Sequence, residues 1–126
     1  MPRTTMLAVT RYRVPEADAA GFLTRARDAL AVLAARPGWR TGHIGRAVDD
    51  PTLWLISTEW ADVGSYRRAL SSYEVKVSAV ALLSQAIDEP TAFELLTTTN
   101  TSARAADAGT VGIGSAAGPA ISSDLD

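Results

Sequence analysis

Between residues 5 and 96 the spacing of apolar residues changes period several times, and each change marks a new element. Met6, Ala8, Thr10 and Tyr12 alternate with Leu7, Val9, Arg11 and Arg13. A period of two of this kind predicts a strand over Met6 to Val14. Pro15 suits the first turn of a helix, where its missing N–H costs nothing. Ala19, Phe22, Leu23, Ala26, Leu30 and Leu33 then recur at helical spacing, with Asp18, Arg25 and Asp28 on the other side. Pro37-Gly38 ends that helix. A second strand is predicted over Trp39 to Val48 and a third over Leu53 to Trp60, joined as a hairpin by Asp49-Asp50-Pro51.

Asp62 stands where its carboxylate can cap a helix beginning near Val63. Tyr66, Ala69 and Leu70 form the apolar side of this helix. Ser71-Ser72 interrupts it, and helical spacing resumes to about Ala86. Asp88-Glu89-Pro90 closes the run, and Thr91 to Leu96 is predicted as the last strand. The order is β-α-β-β-α-β, which specifies an α+β, ferredoxin-like architecture with a four-stranded antiparallel sheet. Residues 1–96 thus form one domain. From Thr97 to Asp126 small polar residues, alanine and glycine dominate and no aromatic residue occurs. Burial cannot offset the ordering entropy of such a segment, so 97–126 is expected to be a disordered tail.

Composition narrows the function without identifying it. The formal net charge of −2 offers no electrostatic footprint for nucleic acid or an anionic membrane. There is no cysteine, which excludes disulfides and thiolate chemistry. No apolar run approaches the length of a membrane span. The N-terminal residues lead straight into a strand pattern without a signal-peptide core, so the expected location is cytoplasmic. One histidine cannot build a histidine-rich metal site, and neither Asp49-Asp50 nor Asp88-Glu89 has metal-ligand spacing. No metal is therefore expected.

Few side chains remain as candidates for chemistry. His43 is the only imidazole and the natural choice for acid–base work near neutral pH. Strand alternation places it with Trp39 and Thr41, away from Arg40, Ile44 and Arg46. Tyr12 shares a face with Ala8 and Thr10, small residues that leave space beside its ring. Tyr12 and His43 are accordingly the catalytic candidates, and Thr10 is a positioning group. Trp54 and Tyr66 supply flat surfaces with polar tips for a planar apolar ligand. Arg11 and Arg68 can hold an anionic oxygen. Each of these residues also has a plain structural explanation, as core filler or as a solvated surface group.

Pro37-Gly38-Trp39, Gly42, the Asp50-Pro51 turn, Glu59-Trp60-Ala61-Asp62, Tyr66 and Ser71 together resemble the antibiotic biosynthesis monooxygenase domain of the dimeric α/β-barrel superfamily. The resemblance implies helices on one face of the sheet and a barrel closed by two sheets across a homodimer. It also implies a small-molecule substrate: some members oxidise polyketide aromatics with O₂ and neither metal nor flavin, and haem-degrading relatives consume haem. The places of the haem-degrading members' tryptophan, histidine and asparagine fall here at Ala69, Ala79 and Thr10, so haem breakdown is disfavoured. The expected activity is a cofactor-independent monooxygenase acting on an aromatic or quinol-like molecule, so the resemblance implies no other cofactor. The alternative is a non-catalytic dimeric barrel that binds a small molecule or a partner. In the tail, Val111-Gly112-Ile113-Gly114-Ser115 is similar to short peptides that load cargo into encapsulin shells, but the favoured reading is the end of a low-complexity linker.

Overall fold

The computed structural model describes residues 4–99; residues 100–126, which hold most of the tail and its Val111–Ser115 cluster, lie outside them, and with them the two expectations placed there. The elements are β1 (Met6–Arg13), a 3₁₀ turn (Glu16–Asp18), α1 (Ala19–Ala34), β2 (Trp39–Arg46), β3 (Leu53–Trp60), α2 (Val63–Ser71), α3 (Tyr73–Ser78), α4 (Val80–Leu83) and β4 (Ala92–Glu94). The strands form one four-stranded antiparallel sheet in the order β2-β3-β1-β4. This is the ferredoxin-like arrangement that the hydrophobic periods predict. The last strand is shorter than its six-residue pattern. The second helical region divides into three, first at Ser72, whose hydroxyl caps α3 by accepting from the Val75 N–H, and again at Ala79. No helix among the described residues is long and apolar enough to cross a membrane.

One face of the sheet carries the helices. Met6, Ala8 and Tyr12 on β1 and Trp54, Ile56 and Trp60 on β3 are buried against Phe22, Ala26, Ala29 and Leu33 of α1 and against Ala69, Val75, Ala79 and Leu82. Burial of this apolar layer is the main driving force for the domain. Asp62 caps α2 as the sequence suggests, its carboxylate accepting from the Ser65 N–H at 2.8 Å. Gly38 joins α1 to β2 with φ of 89°, and a side chain there would collide with Ser65. The backbone can therefore come close enough for the Gly38 carbonyl to accept from the Ala61 N–H at 2.8 Å, tying the end of α1 to the start of α2.

The strand alternation is broken once. Trp39 lies opposite Trp60, but the register shifts between Trp39 and Thr41, and from Thr41 onward the other parity holds. Trp39 thus turns toward the helices and meets Trp60 edge-on, with ring centroids 5.5 Å apart. Its indole also passes over Gly42, where a Cβ would strike the ring and Leu30. Thr41 and His43 face the opposite side. The expectation that His43 shares a face with Trp39 is corrected: an irregularity of one residue, of the kind a β-bulge produces, separates them.

The face away from the helices presents Leu7, Val9, Leu55 and Phe93 together with Ser57, Glu59, Thr41 and His43. Leu7, Val9 and Leu55 are half-buried and Phe93 is exposed.

Candidate active site

On the helix-covered side, β1, β3 and β2 align Tyr12, Trp54 and Arg46 in one row across the sheet. The next row is Thr10, Ile56 and Ile44. Phe22, projecting from α1, closes over the first row. Its ring centroid lies 5.1 Å from that of Tyr12 and 5.2 Å from that of Trp54, with the Trp54 contact edge-on. Such tilted and edge contacts are the favoured geometries of aromatic pairs. A cavity of about 140 Å³ lies beside Tyr12 and Phe22, rimmed by Pro15, Asp18, Arg25 and Gln85.

The polar groups of this layer are hydroxyls and one indole. Tyr12, 2% exposed, donates its hydroxyl proton to Thr10 Oγ1 at 2.9 Å, and Thr10 donates in turn to the Ile56 carbonyl at 3.4 Å. Burial raises the Tyr12 phenol above its ordinary value, the Thr10 bond opposes this, and the Tyr66 phenol adds to the rise. Burial raises Tyr66 as well. Both phenols are therefore protonated at neutral pH, and Tyr12 is suited to donate a hydrogen bond and unsuited to act as base. Trp60, fully buried, gives its indole N–H to Thr58 Oγ1 at 2.9 Å and stacks at a tilt on Tyr66, 5.7 Å between centroids. Trp54 differs. It is 5% exposed, and its buried Nε1–H has no acceptor among the described residues. Leaving a buried donor unsatisfied costs about 1–3 kcal/mol.

Of the seven residues expected to form the site, Thr10, Tyr12, Trp54 and Tyr66 belong to this layer. The other three do not. His43 is exposed on the opposite face of the sheet, across from Ser57. Arg11 points to that face too, and it is engaged: Nε and Nη2 each donate to a Glu89 carboxylate oxygen at 2.8 Å. Arg68 is exposed on α2 and donates to Ser65 Oγ at 3.3 Å. Tyr12 and His43 therefore cannot act on one ligand within a single chain. The residue missed by the sequence reading is Arg46, which appeared there only as a strand position facing away from His43. Its guanidinium carbon lies 5.3 Å from the centre of the Trp54 ring. The sequence did contain the signal, since Arg46 has the parity of Ile44 and so falls on the core side of β2.

No cluster of three or more potential metal-ligating side chains occurs among the described residues. Ala69 and Ala79, at the places where haem-degrading relatives carry tryptophan and histidine, are both buried in the core.

Residues 5–80 match the antibiotic biosynthesis monooxygenase family. The chain belongs to that family. Among solved structures it is similar to SnoaB, a cofactor-independent oxygenase from Streptomyces nogalater, with 25% identity and a TM-score of 0.64 over 80% of this chain and 99% of that one. It is similar in fold to a candidate antibiotic biosynthesis monooxygenase from Nitrosomonas europaea, at 14% identity and a TM-score of 0.62 over 79% and 98% of the two chains. A conserved protein from Methanosarcina mazei shares the fold at 18% identity, with a TM-score of 0.61 over 72% and 92%. No curated protein sequence matches the chain. The family's sequence signature reaches only to residue 80, so β4 and Glu89, the partner of Arg11, lie outside it.

Proposed function

We propose that this member of the antibiotic biosynthesis monooxygenase family is a cofactor-independent monooxygenase acting on an aromatic or quinol-like small molecule, working as a cytoplasmic homodimer. The observation that carries this reading is the enclosed layer of Thr10, Tyr12, Trp54 and Tyr66, aromatic walls with hydroxyl donors, in a chain whose fold is that of a cofactor-independent oxygenase. The long strands bring no carboxylate or imidazole to this layer. The substrate must therefore be acidic enough to arrive as its own anion, and that anion supplies the electrons that reduce O₂. The protein desolvates the ring, fixes its orientation and donates hydrogen bonds to its oxygens from Tyr66, and from Tyr12 when its single O–H turns from Thr10 to the ligand.

Dithranol, an acidic hydroxyanthrone, tests the reading. One O₂ is consumed per molecule; one oxygen atom remains as the new ring carbonyl, and the other leaves as water with the two hydrogens of the oxidised carbon. An oxygen electrode should record uptake by the purified protein above the spontaneous rate, without added metal or flavin. Uptake no faster than the spontaneous rate, with a range of acidic polycyclic phenols, would reject it.

A second reading is favoured by a specific observation. The Tyr12 hydroxyl is already bonded to Thr10, and Ala69 and Ala79 replace groups found in haem-degrading relatives. These features suit a non-catalytic binding protein. Saturable binding of a polycyclic phenol without oxygen uptake would establish that alternative.

A further inference from the structure

On the helix-covered side, the three long strands present a single charged side chain among the described residues, Arg46. Every other side chain they place there is apolar, aromatic or a hydroxyl. Arg46 stands at the outer end of the row Tyr12–Trp54–Arg46, on the edge strand β2, and is exposed. No described carboxylate pairs with it, whereas Arg11, Arg13, Arg36 and Arg40 each have one. Instead its guanidinium lies over the Trp54 ring. A cation held over an indole keeps its N–H donors free for an anion, because the ring face competes for charge and accepts no proton in line.

The indole that it covers carries a buried N–H with no acceptor among the described residues. The stacking accounts for the arginine and for the aromatic ring. It gives no reason for the nitrogen, since phenylalanine would present a π face to the guanidinium and to Phe22 without an orphaned donor. Buried polar groups in folded proteins nearly always have a partner, and an exception calls for a specific reason. The solvated guanidinium and the orphaned indole N–H belong to cross-strand neighbours at different depths, one at the rim and one inside.

We propose that Arg46 and Trp54 Nε1–H form a two-donor anchor for the ionised oxygen of a phenolate ligand, and that this pair selects acidic phenols over neutral aromatics. The inference rests on the oxygenase reading for its ligand class. Arg46 meets the anion at the edge of the sheet, and the indole N–H fixes the same oxygen or its hydrogen-bonded neighbour as the ring enters the aromatic layer. Bonds of this kind to a charged oxygen are about twice as strong as neutral ones, so discrimination follows the ligand's charge.

The test uses danthron, a dihydroxyanthraquinone that is already oxidised, and anthraquinone, which has no hydroxyl. Binding of each is measured by absorbance titration across the pH range in which free danthron ionises. The full chain should bind danthron more tightly as the phenol ionises, and the bound phenol should ionise at lower pH than the free one. Arg46→Gln and Trp54→Phe should each lose about tenfold in affinity for the ionised form, while Arg46→Gln leaves the affinity for anthraquinone unchanged and Trp54→Phe, which trims an aromatic wall, lowers it by less than it lowers that for ionised danthron. Arg46→Lys should retain part of the pH-dependent gain. Arg46 is exposed, so its variants fold regardless of their effect on binding. The anchor is overturned if both variants keep the full pH-dependent gain, if they lose danthron and anthraquinone equally, or if the full chain shows no gain at all. Oxygen uptake with dithranol in the same preparation separates the two failures: uptake without the gain rejects the anchor alone, and absence of both rejects the oxygenase reading with it.

Discussion

The Tyr12 hydroxyl donates to Thr10 Oγ1 at 2.9 Å along one face of a single strand, and the Thr10 hydroxyl donates a hydrogen bond to the Ile56 carbonyl on the neighbouring strand. Two residues apart on β1, they form a short relay whose acceptor lies in the core. Its consequence is that the Tyr12 phenol is protonated and oriented before any ligand arrives.

Tyr12→Phe removes the donor but leaves Thr10 bonded to Ile56. The expected stability loss is about 1 kcal/mol, with a larger proportional loss of turnover or ligand affinity. Denaturant melts and dithranol oxidation measure the two quantities. The phenol's raised value also has a sign. Its neutral form is favoured in the fold, so this contribution is fully present below the unfolded value of 10 and is lost as pH rises through the higher folded value. Melts above pH 10 should fall less steeply for Tyr12→Phe than for the native chain.

Acid acts through the β2–β3 turn. Asp50 accepts from the Thr52 N–H at 3.0 Å, from the Thr52 hydroxyl at 2.7 Å and from Arg13 at 2.6 Å, and these bonds lower its carboxyl from 3.8 to about 2. The depressed value means that the contribution is present above pH 3.8 and disappears as pH falls toward 2. Asp50→Asn should flatten the pH dependence of the melting temperature in that window.

Trp60 has no exposed surface and sits between Trp39 and Tyr66. Trp60→Ala should cost about 3–5 kcal/mol through the cavity it leaves and the lost transfer energy. Asp62→Ala, at the next junction position, should cost about 1 kcal/mol as a lost helix cap. A melt of Trp60→Ala within a degree of the native one would contradict this packing.

The open face of the sheet carries Leu7, Val9, Leu55 and Phe93, with a depression of about 360 Å³ between Val9 and Phe93. A contiguous apolar face of this kind is an association surface. Light scattering should report a dimer at micromolar concentration, and Leu55→Arg should shift it toward monomer while leaving the helix-covered side intact.

Much of the fold was legible because each element announces its own period. The alternation of Met6, Ala8, Thr10 and Tyr12 gave a buried face, and all four side chains are buried on the same side. His43 was misplaced because alternation assumes uninterrupted pairing. Only the contact of Trp39 with Gly42 and Trp60, a tertiary event, shows where the register slips. Arg11 and Glu89 are remote in sequence, and nothing local in either segment marks them as a bidentate pair. Four of the seven candidate site residues share the helix-covered layer, because strand parity and helix spacing can be read from the chain. The orphaned nitrogen of Trp54 depends on the absence of an acceptor in three dimensions, which no linear pattern encodes.

The central position of β1 also bears on how the chain is made. Within this domain it leaves the ribosome before the other strands, yet one flank must wait for β3 and the other for residues beyond 86. That second flank is closed by Ile87 N–H to the Arg11 carbonyl at 2.8 Å, Val9 N–H to the Thr91 carbonyl at 2.7 Å, Leu95 N–H to the Thr5 carbonyl at 2.9 Å and the clasp of Arg11 by Glu89. Until then the outer edge of an apolar strand offers unpaired backbone groups to any neighbouring chain. The short final strand therefore serves as a closing seam. A ribosome that stalls before reaching it releases a domain with its helices and hairpin complete and its oldest strand still adhesive.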